Sequence, residues 1–203
     1  MSEENLYTFE NEAYRKTYWH TCSHVMAQAV KRLYPQVKLA IGPSIDNGFY
    51  YDFDVEKPFS PEDLSKIEAE MKKIVKENIP LQAFTLSPED ALQKLADMGE
   101  PYKVELCEEH AGKSPLISFY EQADFTDLCA GPHLMSTGAV KAFKLTSSTG
   151  AYWRDTATAS PLSSMSCNRA FTAGRMEATW SKFTSICFEA RTNSVPAKRS
   201  SSS

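Results

Sequence analysis

No run in this chain of 203 residues approaches the roughly 20 consecutive apolar residues that cross a bilayer, so no membrane helix is expected. The opening residues Met1 to Leu6 lack both the basic stretch and the apolar core of a secretory signal, and the expected location is the cytoplasm. Cysteine is sparse and odd in number. Cys22, Cys107, Cys129, Cys167 and Cys187 show no framework spacing, which fits reduced thiols or metal ligation and argues against a disulfide scaffold. Positive charge is also in deficit, with 22 Lys and Arg against 26 Asp and Glu. The chain has a net charge of −4, but its last 48 residues carry six Lys and Arg against two Asp and Glu, which leaves residues 1–155 at −8. Such an acidic body is a poor generic nucleic-acid binder and meets RNA only through a local patch or another domain. With 42% hydrophobic residues, the chain can still bury the core of one domain.

Histidine is the scarcest chemical resource, at four residues, and three of them fall in two clusters. His20 and His24 stand four apart in a stretch of helical periodicity, where Cβ atoms come within about 5–6 Å of each other. Cys129 and His133 bracket the short turn Cys129-Ala130-Gly131-Pro132-His133. On a helix, Tyr18, Trp19, Cys22, Val25, Met26, Ala29, Val30 and Leu33 share one apolar stripe, and the two histidines fall opposite it. A core role for them is thereby disfavoured. A pair of solvated surface histidines is the competing reading, and Cys129 with His133 weighs against it. His110 lies in a polar loop and reads as solvated.

The periodicity predicts a helix over 12–33, ended at Tyr34-Pro35. A strand over 37–41 follows, then a turn at Asp46-Asn47-Gly48 and a partner strand over 49–54. Gly42-Pro43 and residues 48–51 read either as a pocket wall or as an ordinary hairpin with aromatic core residues. Ser60-Pro61 and Ser87-Pro88 each open a helix as an N-cap followed by proline at the first position, and Gly99 ends the second. Beyond that the chain reads as extended over 102–106, 116–120, 125–128, 140–145 and 151–153. The expected class is α+β, a mixed, largely antiparallel sheet packed by helices. Residues 1–11 read as a flexible start and 12–154 as the domain. In 155–203 periodicity disappears and Ser and Thr make up 17 of the last 48 residues, a composition that predicts a disordered C-terminal tail.

Taken in order, several segments are similar to one family. They are His20-x3-His24, residues 40–43 (AIGP), 48–54 (GFYYDFD), 102–106 (YKVEL), 127–133 (DLCAGPH), 143–145 (FKL) and 150–154 (GAYWR). Together they resemble the editing domain of bacterial threonyl-tRNA synthetase, within the threonyl and alanyl synthetase second-additional-domain family, over about residues 8–154. The resemblance implies a truncated chain, lacking the upstream ubiquitin-like domain and the downstream catalytic and anticodon-binding domains. Without an ATP site, no ligase activity is expected. Where the family has Arg after the site cysteine, this chain has Ala130. The pattern stops at Arg154, and out-of-frame translation would account for residues 155–203.

The implied activity is hydrolysis of serine from threonine tRNA, and the implied partner is threonine tRNA carrying serine. Ester hydrolysis needs a positioned water, a base or metal to activate it, and donors for the developing oxyanion. By resemblance, His20, His24, Lys103, Cys129 and His133 are catalytic, Lys103 lying on a strand, and Tyr120 and Asp127 hold the substrate. Zinc is the candidate cofactor, with His20, His24, Cys129 and His133 as ligands and weak, partial occupancy expected. Two other readings compete: a closed structural zinc module, and a catalytically silent RNA-binding fragment of a broken synthetase gene.

Overall fold

The computed structural model describes residues 7–46, 48–151 and 183–189. Helix α1 (Glu12–Leu33) begins where the Asn11 side chain accepts from the N–H groups of Ala13 and Tyr14, and ends at Tyr34, the residue before Pro35. Helix α2 (Pro61–Glu77) opens on a reciprocal cap. Ser60 Oγ accepts from Asp63 N–H, and the Asp63 carboxylate accepts from Ser60 N–H. At the start of α3 (Pro88–Asp97) Ser87 Oγ likewise accepts from Asp90 N–H, while its hydroxyl donates to the Asp90 carboxylate, and Gly99 follows the helix at φ 68°. Such caps contribute about 1 kcal/mol each.

Eight strands complete the fold among the described residues: β1 (Lys38–Leu39), β2 (Ser44–Ile45), β3 (Gly48–Asp54), β4 (Gln82–Leu86), β5 (Ile117–Gln122), β6 (Phe125–Leu128), β7 (Leu145–Ala151) and β8 (Phe183–Glu189). All of their pairings are antiparallel. One sheet runs β1-β3-β8-β7 with β2 also against β3, and the other runs β4-β5-β6. The expected hairpin is present, with Ile45 opposite Gly48. The class is α+β, as the pattern predicts. Strand β8 comes from within residues 155–203, where the composition predicts a disordered tail, and inserts between β3 and β7; the rest of that stretch lies outside the described residues.

Two apolar cores follow from this layering. The larger joins α1 and α2 to β3 through Val25, Met26, Phe49, Phe53, Ile67 and Met71, all fully buried. The smaller sits between α3, helix α4 (Pro101–Ala111) and the second sheet, where Phe84 and Phe119 stack at 5.3 Å over Leu95 and Cys107. Burying each large apolar side chain stabilises the fold by about 1.5–3 kcal/mol.

Three expectations change. Residues 102–106 are helical, not extended, and belong to α4. Pro101 occupies its first turn and Gly112 its C-cap. Burial falls on Lys103 and Cys107, four apart, which is a helical and not a strand repeat. Residues 140–144 form no strand, and a 3-10 turn over Thr137–Ala139 leads into them. Their backbone is satisfied by a side chain instead: the Tyr18 hydroxyl accepts from Lys141 N–H and Ala142 N–H and donates to Ala142 O. Finally, α1 is buried all round from Thr21 to Val30, because the segment after β6 covers the face opposite the apolar stripe. His24 is therefore buried, and His20 is partly exposed beneath that segment.

Two glycines allow close approaches near that covered face. A Cβ at Gly42 would overlap the Tyr51 ring, and a Cβ at Gly131, held at φ 71°, would meet the Tyr120 hydroxyl at 2.5 Å.

Candidate functional site

Helix α1 presents His20 and His24, and the segment after β6 folds back over them with Cys129 and His133. The ligand atoms of these four residues all lie within 4.8 Å of one another. The His133 ring stands 4.1 Å from that of His20 and 4.0 Å from that of His24, centroid to centroid. Cys129 Sγ lies 3.3 Å from His20 Nε2 and 3.2 Å from His133 Nε2, and it accepts from Gly131 N–H at 3.2 Å. Tyr120, on β5, closes one side with its ring 4.5 Å from that of His133. The His, His, Cys, His set seen in the sequence is thus one constellation.

A second, deeper layer stands behind it. Lys103 reaches in from α4, and its Nζ lies 2.6 Å from Asp127 Oδ1, with both side chains at 4% exposure or less. The Tyr51 hydroxyl donates to Asp127 Oδ2 at 2.6 Å, and His24 Nε2 stands 3.6 Å from the same oxygen. Lys103 Nζ also sits 5.3 Å from the centroid of the Tyr51 ring. All seven residues assigned from the sequence therefore come together: His20, Tyr120, Cys129 and His133 partly exposed in front, and His24, Lys103 and Asp127 buried behind. Ala130 is exposed beside Cys129. An open hollow of about 530 Å³ on α3, lined by Leu86, Asp90, Gln93, Lys94, Asp97 and Met98, is separate from this constellation.

Tyr51 is the functional neighbour that the sequence pattern left among ordinary core aromatics. Its signal was available. It alternates with Phe49 and Phe53 on the inward face of β3, and a buried tyrosine hydroxyl requires a polar partner.

Burial sets the protonation of the His, His, Cys, His cluster. It holds the imidazoles of His20, His24 and His133 below the usual histidine range, with mutual repulsion adding to the effect at His24 and His133. It pushes the Cys129 thiol up to about 12, against the opposing pull of Gly131 N–H. At neutral pH the four clustered donors are thus three neutral imidazoles and a thiol. Three nitrogens and one sulfur around a tetrahedral zinc would stand about 3.3–3.6 Å apart, close to the two sulfur–nitrogen separations found here. His24 Nδ1 is buried and has no hydrogen-bond partner among the described residues. The donor set fits a zinc ion.

Residues 117–157 match the model of the threonyl and alanyl tRNA synthetase second additional domain. The chain belongs to this family. It is 64% identical over 150 residues to a threonine–tRNA ligase of Acetivibrio thermocellus, an alignment covering 74% of this chain and 24% of that protein. Over 153 residues it is 61% identical to the threonine–tRNA ligase of Clostridium tetani, covering 75% of this chain and 24% of the relative. The corresponding enzyme of Caldanaerobacter subterraneus is 60% identical over 152 residues, covering 75% and 23%. The chain thus spans about a quarter of the length of these relatives. Within the second additional domain, the matched stretch begins at β5 and contains Tyr120, Asp127, Cys129 and His133. Among the described residues no helix is long and apolar enough to cross a membrane.

The Lys103–Asp127 pair carries a stability prediction. Removing one member of a buried ion pair strands its partner's charge and costs about 3–5 kcal/mol. Lys103→Met is expected to lower the unfolding free energy by that order, and adding Asp127→Asn to recover much of the loss, as read from urea unfolding in a double-mutant cycle. Strictly additive effects would show that the two side chains are not coupled.

Proposed function

We propose that this second additional domain is an editing hydrolase that cleaves the ester joining serine to threonine tRNA. The observation that supports it best is the convergence of His20, Cys129 and His133 on an accessible surface, with the Lys103–Asp127 pair directly behind. In the reaction a water oxygen bonds to the ester carbonyl carbon, the carbon–ribose oxygen bond breaks, and the ribose oxygen leaves with a proton. His20 and His133, in the accessible layer, are placed to take the proton from that water. Lys103 supplies positive charge toward the carbonyl oxygen as it becomes an oxyanion. Asp127 and Tyr120 hold the amino acid, and Tyr51 holds Asp127. A zinc ion bound by His20, His24, Cys129 and His133 would add Lewis acidity at the same place.

The natural partners under this reading are seryl threonine tRNA and the remaining domains of a synthetase, in the cytoplasm. Selectivity explains why such a site is needed. Serine differs from threonine by one methyl group, and a pocket that admits the larger cannot exclude the smaller by more than about 1–3 kcal/mol. A second pocket reverses the test: the shared hydroxyl and amino groups bind, and the extra methyl clashes or displaces the attacking water. Seryl threonine tRNA is therefore expected to be hydrolysed faster than threonyl threonine tRNA by the full chain, with His133→Gln slowing the seryl reaction about 100-fold or more. Equal rates on the two esters, from folded protein, would contradict the proposal.

A closed structural zinc module is the second reading, favoured by the mutual closeness of all four donors. Stoichiometric zinc that survives dialysis against chelator would support it, whereas the hydrolase reading expects weak, partial occupancy. The thiol makes this measurable against pH. Because burial pushes Cys129 up to about 12, the thiol is protonated at pH 7, and metal ligation must expel its proton. The imidazoles, held low, are already neutral and release none. Zinc affinity is expected to rise about tenfold per pH unit between pH 7 and about 8.5, and Cys129→Ser to flatten that slope. An affinity independent of pH would remove Cys129 from the ligand set.

A further inference from the structure

We propose that Thr21 is a positioning residue that fixes the tautomer of His133, so that His133 turns a bare Nε2 toward Cys129 and the surface where the ester is cleaved. The inference rests on reading this surface as the reactive centre, and it names the residue that prepares one of its bases.

Thr21 adjoins His20 on α1 and is fully buried. Its hydroxyl oxygen has three neighbours: Thr17 O at 2.9 Å, Leu134 N at 2.9 Å and His133 Nδ1 at 3.3 Å. A hydroxyl owns one proton and two lone pairs. The carbonyl of Thr17 can only accept, and at the shorter distance it takes the proton. The N–H of Leu134 can only donate, and it fills one lone pair. The other lone pair is left for His133, which must then carry its proton on Nδ1. A neutral imidazole has a single ring proton, so Nε2 is bare, and Nε2 is the atom 3.2 Å from Cys129 Sγ.

His20 reaches the same state by a different route. Its Nδ1 lies 3.2 Å from the carbonyl oxygen of Pro132, which only accepts, so its Nε2 is also bare and faces Cys129 Sγ at 3.3 Å. One thiol proton cannot serve two lone pairs. One imidazole nitrogen therefore stays free to take a proton from water or to ligate a metal, and the neighbour of the other ring nitrogen orients it in either role. Thr21 performs for His133 what the Pro132 carbonyl performs for His20. Its backbone tie to Leu134 also pins the segment that carries His133.

The test is ¹⁵N NMR of the full chain labelled at histidine, at pH 7.5, with His133 assigned by its loss in His133→Gln. The expected spectrum has a protonated Nδ1 and a bare Nε2. Thr21→Val keeps the shape and removes the acceptor, and should move His133 toward the Nε2-protonated form while slowing seryl ester hydrolysis about tenfold. Thr21→Ser should restore both. A protonated Nε2 in the wild type, or an unchanged tautomer in folded Thr21→Val, overturns the inference. If Thr21→Val fails to fold, the wild-type spectrum still decides. A predicted tautomer in a protein that hydrolyses no seryl ester would instead refute the editing function and leave the tautomer assignment intact.

Discussion

A carboxylate at Asp127 has to be stabilised inside the protein, and that requirement ties three otherwise separate elements together. Desolvating such a group costs several kcal/mol, which is recovered only when its oxygens are matched by charge and hydrogen bonds in good geometry. Here α4 brings the Lys103 ammonium to one oxygen and β3 brings the Tyr51 hydroxyl to the other. Because Asp127 stands next to last in β6 and only two residues before Cys129, satisfying the carboxylate also fixes where the next turn starts. The Cys129–His133 segment is then held against α1 by Thr21 and by the Pro132 carbonyl.

The charged layer and the neutral layer do different work. Behind, Lys103 and Asp127 form a fixed dipole with almost no exposure to water, where its field is screened little. In front, burial keeps the imidazoles of His20 and His133 and the Cys129 thiol uncharged yet partly accessible, with lone pairs facing one another. Neutral donors crowded this closely gain from a shared proton or a shared cation, which is why an esterase and a zinc site are both chemically reasonable outcomes of the same arrangement. Pre-arranged groups of this kind cost no reorganisation when charge develops on a substrate.

Much of this was legible in the sequence, because local rules specify it. Four-residue spacing on a helix placed His20 beside His24, the capping signals at Ser60 and Ser87 located two helices, and Asp46 to Gly48 located a hairpin. Lys103 does lie beside the other named residues, but it reaches them from a helix where the sequence suggested a strand. Over residues 102–106 apolar and polar side chains alternate, and five residues cannot separate a strand from a helix whose buried positions are 103 and 107. The bracketing Pro101 and Gly112 were the better guide. Tyr51 and Thr21 escaped because their roles depend on partners 76 and 112 residues away, a relation no local periodicity encodes.

The most direct test of the account is binding of a seryl adenosine in which an amide replaces the ester, so that the ligand occupies the site without being cleaved. Titrated into the full chain and followed by NMR of the histidine ring nitrogens and the lysine ammonium groups, it is predicted to shift His20, His133 and Lys103 saturably, and to do so at lower concentration than its threonyl counterpart. Saturable binding that leaves those three residues unmoved, or that perturbs only the hollow on α3, would contradict the claim that this constellation is the place where the amino acid is held and released.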